Sequence, residues 1–244
     1  MSKKYKHKTC AYCATENSSD TADHVLAREL VAISHRQEIP IVPACKTCNQ
    51  KKSVLEHYAA TVLPFGGRHP DSSNRLNEDV PKRLRANLRL HREISSGTTR
   101  VWVRNNGIFS RTLAIPFDGT RIEKLVDYIA RGLMFHHWGV ALDGNCAIEV
   151  LTLTFAGEAF FNQMKQWESS QLVFGNIGNG ALIYEGRQGT DNQSISVWEL
   201  SLLGGAQMAQ GNHFTSTKFG VMTGPRAVFD RAAVRASSSL IIRP

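Results

Sequence analysis

Residues 44–53 have the sequence ACKTCNQKKS. It contains a Cys-x-x-Cys pair formed by Cys45 and Cys48, and a matching pair, Cys10 and Cys13, lies upstream. In a reducing compartment, two such pairs are typical of a metal site rather than of disulfides. Four thiolates in this pattern favour a tetrahedral Zn²⁺ with no open coordination position. The sequence therefore predicts one structural zinc site.

The two pairs are separated by 31 residues. Zinc fingers usually separate their ligand pairs by ~15–20 residues, so a folded segment is expected between them. A module of this size has few large apolar residues, and zinc binding, worth roughly 10–16 kcal/mol in small zinc modules, adds to its folding free energy.

Three residues near the cysteines have the side chains that phosphodiester hydrolysis needs. A neutral His suits proton abstraction from water near pH 7, and His24 is such a residue. Oxygen ligands hold a hard cation, and Asp23 and Asn49 can supply a carboxylate and an amide oxygen. Asn49 is also a good N-cap residue, and the helix expected from there would direct its first amide groups at a phosphate.

Taken together, these residues resemble the HNH endonucleases, in particular the zinc-stapled subgroup with a ββα-metal, treble-clef-like active site. The resemblance covers about residues 8–60 and rests on Cys10, Cys13, Asp23, His24, Cys45, Cys48, Asn49, Lys52 and Ser53. It implies that His24 is the general base and that Asp23 and Asn49 bind a catalytic Mg²⁺ or Mn²⁺. It also implies that the four cysteines bind the zinc.

One position departs from that family. Many HNH sequences have an Asn about five residues before the second Cys pair, where it braces the segment that carries the base. Pro40 occupies this position here. A proline cannot make that side-chain hydrogen bond, so we expect the bracing to come from elsewhere.

Two histidine-containing segments allow two interpretations each. His57 follows Asn49 by eight residues, so it suits a third metal ligand or phosphate contact, or a histidine on the helix surface. The sequence His136-His137-Trp138 ends a strongly amphipathic helix. It suits either a second site or, more commonly, side chains that pack at or cap the helix end.

Positive charge is concentrated in the first half of the chain, whose formal net charge is +8 overall. Residues 1–58 contain nine Lys or Arg against six Asp or Glu, and residues 59–111 contain ten against four. Residues 112–244 contain ten against eleven. This distribution suits a polyanion-binding protein, although a solvated basic surface is the plainer explanation. The candidate nucleic-acid contacts are Lys51, Lys52, Lys82, Arg83, Arg85, Arg89 and Arg92.

The pattern along the chain predicts an α+β protein in two units. Residues 1–66 form the HNH module, 67–77 form a linker, and 78–244 form an α+β domain with a mostly antiparallel sheet. Apolar spacing predicts one basic helix that starts near Asn77 and ends before Gly97, and alternating residues predict a hairpin over 98–116. The second unit is a candidate surface for self-association or for a partner protein.

The sequence predicts a cytoplasmic protein without a membrane span, because no apolar segment follows the basic N-terminus. The predicted function is metal-dependent hydrolysis of nucleic-acid phosphodiester bonds, with DNA as the favoured substrate. The family resemblance suggests a setting in anti-phage defence or in a mobile element. The alternative is a non-catalytic zinc module that binds nucleic acid or a protein.

Overall fold

The computed structural model describes residues 3–105, 108–206, 209–210, 213–214 and 218–229. These residues form a mixture of helices and antiparallel sheets, as the sequence predicted. No helix in these ranges combines the length and the apolar character that crossing a membrane requires.

The N-terminal part is a two-stranded sheet followed by a long helix. Strand β1 (Thr21–His24) pairs antiparallel with β2 (Ile41–Ala44), and Asp23 lies opposite Val42. Short 3₁₀ turns and irregular backbone connect the two strands. Helix α1 (Lys46–Gly66) starts immediately after β2. The order of elements is therefore strand, strand, helix.

Helix α1 begins one turn earlier than the sequence predicted. Cys45, not Asn49, is its N-cap, and the Cys45 Sγ accepts a hydrogen bond from the backbone amide of Cys48. The first amide groups of α1 therefore point towards a predicted zinc ligand, not towards a phosphate. The helix includes Pro64 and ends at Gly66.

The predicted basic helix is two helices, α2 (Ser72–Ala86) and α3 (Leu88–Gly97). The chain leaves helical geometry at Asn87, and the Asn87 side chain accepts a hydrogen bond from Leu90 N, which caps α3. Since α2 starts at Ser72, about half of the predicted linker 67–77 is helical. The start of the predicted linker is also fixed to the rest of the protein, because the amides of Arg68 and His69 both donate to the carbonyl of Leu203.

After α3 come the strands β3 (Thr99–Asn105) and β4 (Ile108–Ala114), which pair antiparallel as a separate ribbon. Helix α4 (Gly119–Trp138) then crosses the centre of the molecule. The remaining elements are β5 (Cys146–Thr152), α5 (Phe155–Met164), β6 (Ser170–Ile177), β7 (Leu182–Gly189), β8 (Ser196–Leu202), β9 (Ala209–Gln210), β10 (His213–Phe214) and β11 (Phe219–Pro225). Five of these strands form one antiparallel sheet in the order β5-β11-β8-β7-β6.

Helix α4 joins the N-terminal module to this sheet. Its buried side chains pack against both, so one hydrophobic core contains residues from each of the two predicted units. A Cβ atom on Gly132 would lie 2.9 Å from a methyl of Val25, so only glycine allows α4 this close to the segment after β1. The Arg131 guanidinium adds a hydrogen bond to the Tyr12 carbonyl. The position of the candidate site therefore depends on α4 as well as on its own hairpin.

Candidate active site and zinc centre

The four cysteines of the two pairs converge on one point. Their sulfur atoms all lie within 4.8 Å of one another, and the Sγ atoms of Cys13 and Cys45 are 4.0 Å apart. A zinc ion with Zn–S bonds of ~2.3 Å separates its sulfurs by about 3.8 Å, so the cluster has the right size for Zn²⁺. The convergence predicted from the spacing is confirmed, and the cluster could hold a zinc ion.

Backbone amides support this cluster. The amide of Cys45 donates to Cys10 Sγ at 3.3 Å, and the amide of Cys48 donates to Cys45 Sγ at 3.4 Å. These bonds favour the thiolate form that a metal needs. Because the donors belong to the start of α1, the same residues form the zinc site and fix the direction of the helix.

Asp23 lies on the inner face of β1 in a buried polar network. Its Oδ2 atom accepts a hydrogen bond of 2.6 Å from the Tyr12 hydroxyl and lies 3.1 Å from the Lys52 ammonium nitrogen. Burial and the adjacent Asp23 carboxylate hold the pKa of the Tyr12 hydroxyl well above its usual value. Tyr12 therefore stays a hydrogen-bond donor, and it fixes the Asp23 carboxylate from within the first Cys pair.

Lys52 occupies a different place from the one the sequence predicted. Its side chain is fully buried, whereas a contact to nucleic acid needs an exposed ammonium group. It donates to the His24 carbonyl at 2.6 Å and to the Glu56 carboxylate, and it also pairs with Asp23. Two carboxylates surround this lysine, which explains how a positive charge is tolerated inside the protein.

Asn49 faces the same side of β1, one helical turn before Lys52. Its amide nitrogen donates to Thr21 Oγ1 at 3.0 Å. Thr21 precedes Asp23 by two residues on the strand, so both project from the same face. Among the hydrogen bonds of the described residues, Asn49 uses its amide nitrogen and Asp23 uses Oδ2. Asp23 lines the cleft beside His24, whereas Asn49 is not among the residues that line it.

His24, the last residue of β1, borders a cleft of about 180 Å³. The cleft lies between the end of β1 and the middle turns of α1, and its lining residues are Asp23, His24, Ala27, Arg28, Glu29, Ser53, Glu56 and His57. Burial and the nearby Arg28 hold the pKa of His24 below its ordinary value of 6.5. At neutral pH the ring is therefore uncharged and can accept a proton.

The acidic side chains of the cleft are balanced by basic ones. Lys52 pairs with Asp23 and Glu56, and Arg83 of α2 pairs with Glu29 at 2.9 Å. Burial raises the pKa of Glu56, although Lys52 opposes the shift. These pairings reduce the repulsion that three carboxylates would exert on a phosphate.

His57 lies at the rim of the cleft and is exposed. Its Nδ1 atom is 3.3 Å from the Arg83 guanidinium and 3.9 Å from the Glu29 carboxylate. Within the described residues, no second group of three His, Cys, Asp or Glu side chains converges as a metal site, so His57 is not part of such a cluster. His57 is thus an exposed helix residue at the rim that contacts Arg83 and Glu29.

No family model, curated protein or solved structure matches this chain.

The predicted nucleic-acid contacts separate into two groups. Lys52 is buried, and the Arg83 guanidinium pairs with Glu29 and contacts His57. The other five side chains are exposed: Lys51, Lys82, Arg85, Arg89 and Arg92.

At the end of α4, His137 packs against the sheet while His136 is exposed, and neither belongs to a metal cluster among the described residues. His137 Nε2 is 2.9 Å from the Tyr184 hydroxyl, and the His137 ring lies near the indoles of Trp138 and Trp198. Burial and the neighbouring His136 lower the pKa of His137 to about 4. This segment is part of the contact between α4 and the sheet.

Three residues of the site were missed from the sequence. Tyr12 orients Asp23, and Arg28 lines the cleft beside His24. Glu29 forms an ion pair with Arg83. Arg28 had a local signal, since it follows His24 by four residues. The partnership between Glu29 and Arg83 had none, because it joins residues far apart in the chain.

Proposed function

We propose that this chain is a metal-dependent endonuclease that hydrolyses phosphodiester bonds of nucleic acid, with DNA as the preferred substrate. One observation carries the proposal. An uncharged, half-buried histidine ends the first strand of a strand-strand-helix unit, at the mouth of a cleft of about 180 Å³. The four-cysteine cluster at the start of the helix holds that unit together.

The residues of the cleft have distinct roles in this proposal. The His24 ring accepts a proton from the attacking water, which a neutral imidazole can do near pH 7. Arg28 and His57 lie on the rim, where they can contact the phosphate. Tyr12 and Lys52 fix the carboxylate of Asp23, so that its second oxygen keeps a constant position.

A catalytic Mg²⁺ or Mn²⁺ would be held by Asp23 and by Asn49, whose side chain contacts Thr21 on the face of β1 that also carries Asp23. When bound, such an ion polarises the phosphate and stabilises the charge that develops on the leaving oxygen. Two protein ligands leave most coordination positions to water and phosphate, as is usual for Mg²⁺. Zn²⁺ at the four cysteines has a structural role alone.

A second function is favoured by one specific observation. Asp23, the predicted carboxylate ligand, already bonds to Tyr12 and Lys52. This arrangement suits a non-catalytic zinc module in which the polar network stabilises the hairpin. Such a module would bind nucleic acid through its basic surface and would not need His24.

Incubation of the zinc-loaded protein with supercoiled and linear DNA, and with RNA, distinguishes the two functions. We expect cleavage of DNA that depends on added Mg²⁺ or Mn²⁺. Binding without cleavage across these metals and substrates would support the zinc-binding module and exclude the nuclease.

A further inference from the structure

The ribbon formed by β3 and β4 projects from the body of the protein. Six of the seven residues of β4 are exposed, and neither strand packs broadly against another described element. Four large apolar side chains of the ribbon are solvent-exposed: Trp102, Ile108, Phe109 and Leu113. An isolated two-stranded ribbon is only marginally stable in water, so this surface is unlike a folding core.

The pairing register places the basic and aromatic residues on one face. Arg100 lies opposite Leu113, Trp102 lies opposite Arg111, and Phe109 lies two residues before Arg111 on β4. Residues two apart on a strand share a face, so these five belong to the same side of the ribbon. The guanidinium of Arg111 lies 5.0 Å from the centre of the Trp102 ring. We call this side, defined by these five residues, the arginine face.

Among the described side chains, the opposite side of the ribbon carries no charge. It includes Val101, Thr112 and Ser110. The whole segment 94–117 contains three arginines and no Asp or Glu. Arginine and aromatic residues also occur at protein–protein interfaces. The absence of Asp and Glu from this segment favours a polyanion, to whose phosphates the arginines supply the complementary charge.

The base of the ribbon is held against the body. A Cβ atom on Gly97 would lie 2.6 Å from the Pro116 ring, so the two ends of the ribbon meet closely at this glycine. The Thr98 hydroxyl donates to the Ile94 carbonyl at 2.7 Å, which connects β3 to the last turn of α3. The base of the ribbon is therefore fixed next to α3.

We propose that this ribbon is a DNA-binding arm whose arginine face enters a groove of the duplex. The major groove of B-DNA is ~12 Å wide and admits a two-stranded β-ribbon. The arginines contact phosphates or base edges, and the exposed aromatic rings pack against sugars and bases. The proposal rests on the proposed function, since it supplies the substrate contact that the small cleft lacks.

Fluorescence anisotropy of a labelled DNA duplex tests whether the ribbon binds DNA. The His24→Ala chain serves as the background without added divalent metal, so that cleavage does not consume the probe. We expect Arg100→Ala combined with Arg111→Ala to weaken binding by about tenfold or more, and to lower the salt slope by about two. Trp102→Ala should weaken binding by about fivefold or more.

Two controls match these variants. Ser110→Ala with Thr112→Ala changes the uncharged side of the same ribbon, and Lys124→Ala with Arg226→Ala removes two exposed charges elsewhere. Both should leave binding within about twofold of the background. Because every substituted position is exposed, circular dichroism and thermal unfolding should show that all variants fold.

Three results would contradict the proposal that the ribbon binds duplex DNA. The first is unchanged DNA binding by the arginine-face variants. The second is a change from dimer to monomer in light scattering when the arginine face is altered, which would make it a self-association surface. The third is tighter, Trp102-dependent binding of single strands than of duplex. If the chain binds DNA through the ribbon but cleaves no nucleic acid, the result would support DNA binding by the ribbon and exclude the proposed nuclease activity.

Discussion

The ammonium nitrogen of Lys52 lies 3.1 Å from Oδ2 of Asp23, and both residues are buried. The sequence predicted that the lysine would contact nucleic acid and that the carboxylate would bind a metal. Their contact gives Asp23 a permanent positive neighbour. A divalent ion at Asp23 would therefore bind beside a fixed charge, and we expect it to bind weakly and to exchange readily.

Removal of the Lys52 charge should destabilise the protein strongly. In Lys52→Met, the carboxylates of Asp23 and Glu56 lose their counter-charge inside the protein. Loss of one partner of a buried ion pair costs about 3–5 kcal/mol in the free energy of unfolding. Denaturant titration measures the change.

The neighbouring Lys51 provides the matched control, because it is exposed on the same helical turn. Lys51→Met should change the free energy of unfolding by less than about 0.5 kcal/mol. Equal stability of the two variants would show that the Lys52 pairings contribute nothing.

The zinc prediction concerns metal content. The wild-type protein should contain about one zinc per chain, and Cys48→Ser should lose it together with cooperative unfolding, because metal binding contributes to folding. Cys146→Ser is the control, since Cys146 lies outside the cluster. Elemental analysis that finds equal zinc in both variants would contradict the four-cysteine site.

The burial of His137 beside His136 should make stability depend on pH. The folded-state pKa of His137 is about 4, below its ordinary value of 6.5. Between these values the unfolded chain binds a proton that the folded chain does not, so stability falls as the pH drops from 6.5 to about 4. His137→Gln should reduce this fall, as measured by thermal unfolding across that range.

His91→Gln is the control for this effect, because His91 is exposed on α3. It should follow the wild-type pH profile. A His137→Gln profile that runs parallel to the wild-type profile would mean that His137 does not couple folding to protonation.

The zinc cluster could be predicted from the sequence because its four ligands lie in two short Cys-x-x-Cys motifs. Each Cys-x-x-Cys pair forms its own turn, and thiolate chemistry then requires the two turns to meet. The order of two strands and a helix around the cysteines was expected from the family resemblance, and β1, β2 and α1 follow one another in that order.

The burial of Lys52 could not be predicted in this way. Lysines are rarely fully buried, and the partner Asp23 lies 29 residues earlier in the chain. The second partner, Glu56, is four residues later, which gives a local hint. The decisive contacts are tertiary, and they arise because α1 lies along the inner face of β1.

Strand β11 was missed for a different reason. Its sequence FGVMTGP contains two glycines and a proline, which are typical of turns. In the structure, a Cβ atom on Gly220 would lie 2.3 Å from the Phe161 ring. The glycine therefore makes room for an aromatic side chain from α5 and does not mark a turn.

The measurement that most directly tests the account is plasmid cleavage by wild type, His24→Ala and His35→Ala, with Mg²⁺ or Mn²⁺ and with equal zinc content. His35 lies outside the cleft, on the 3₁₀ segment Ile33–Glu38. We expect wild type and His35→Ala to cut equally and His24→Ala to be slower by at least ~100-fold, the usual contribution of a general base. Equal cleavage by wild type and His24→Ala, or no cleavage by any of the three proteins, would contradict the account.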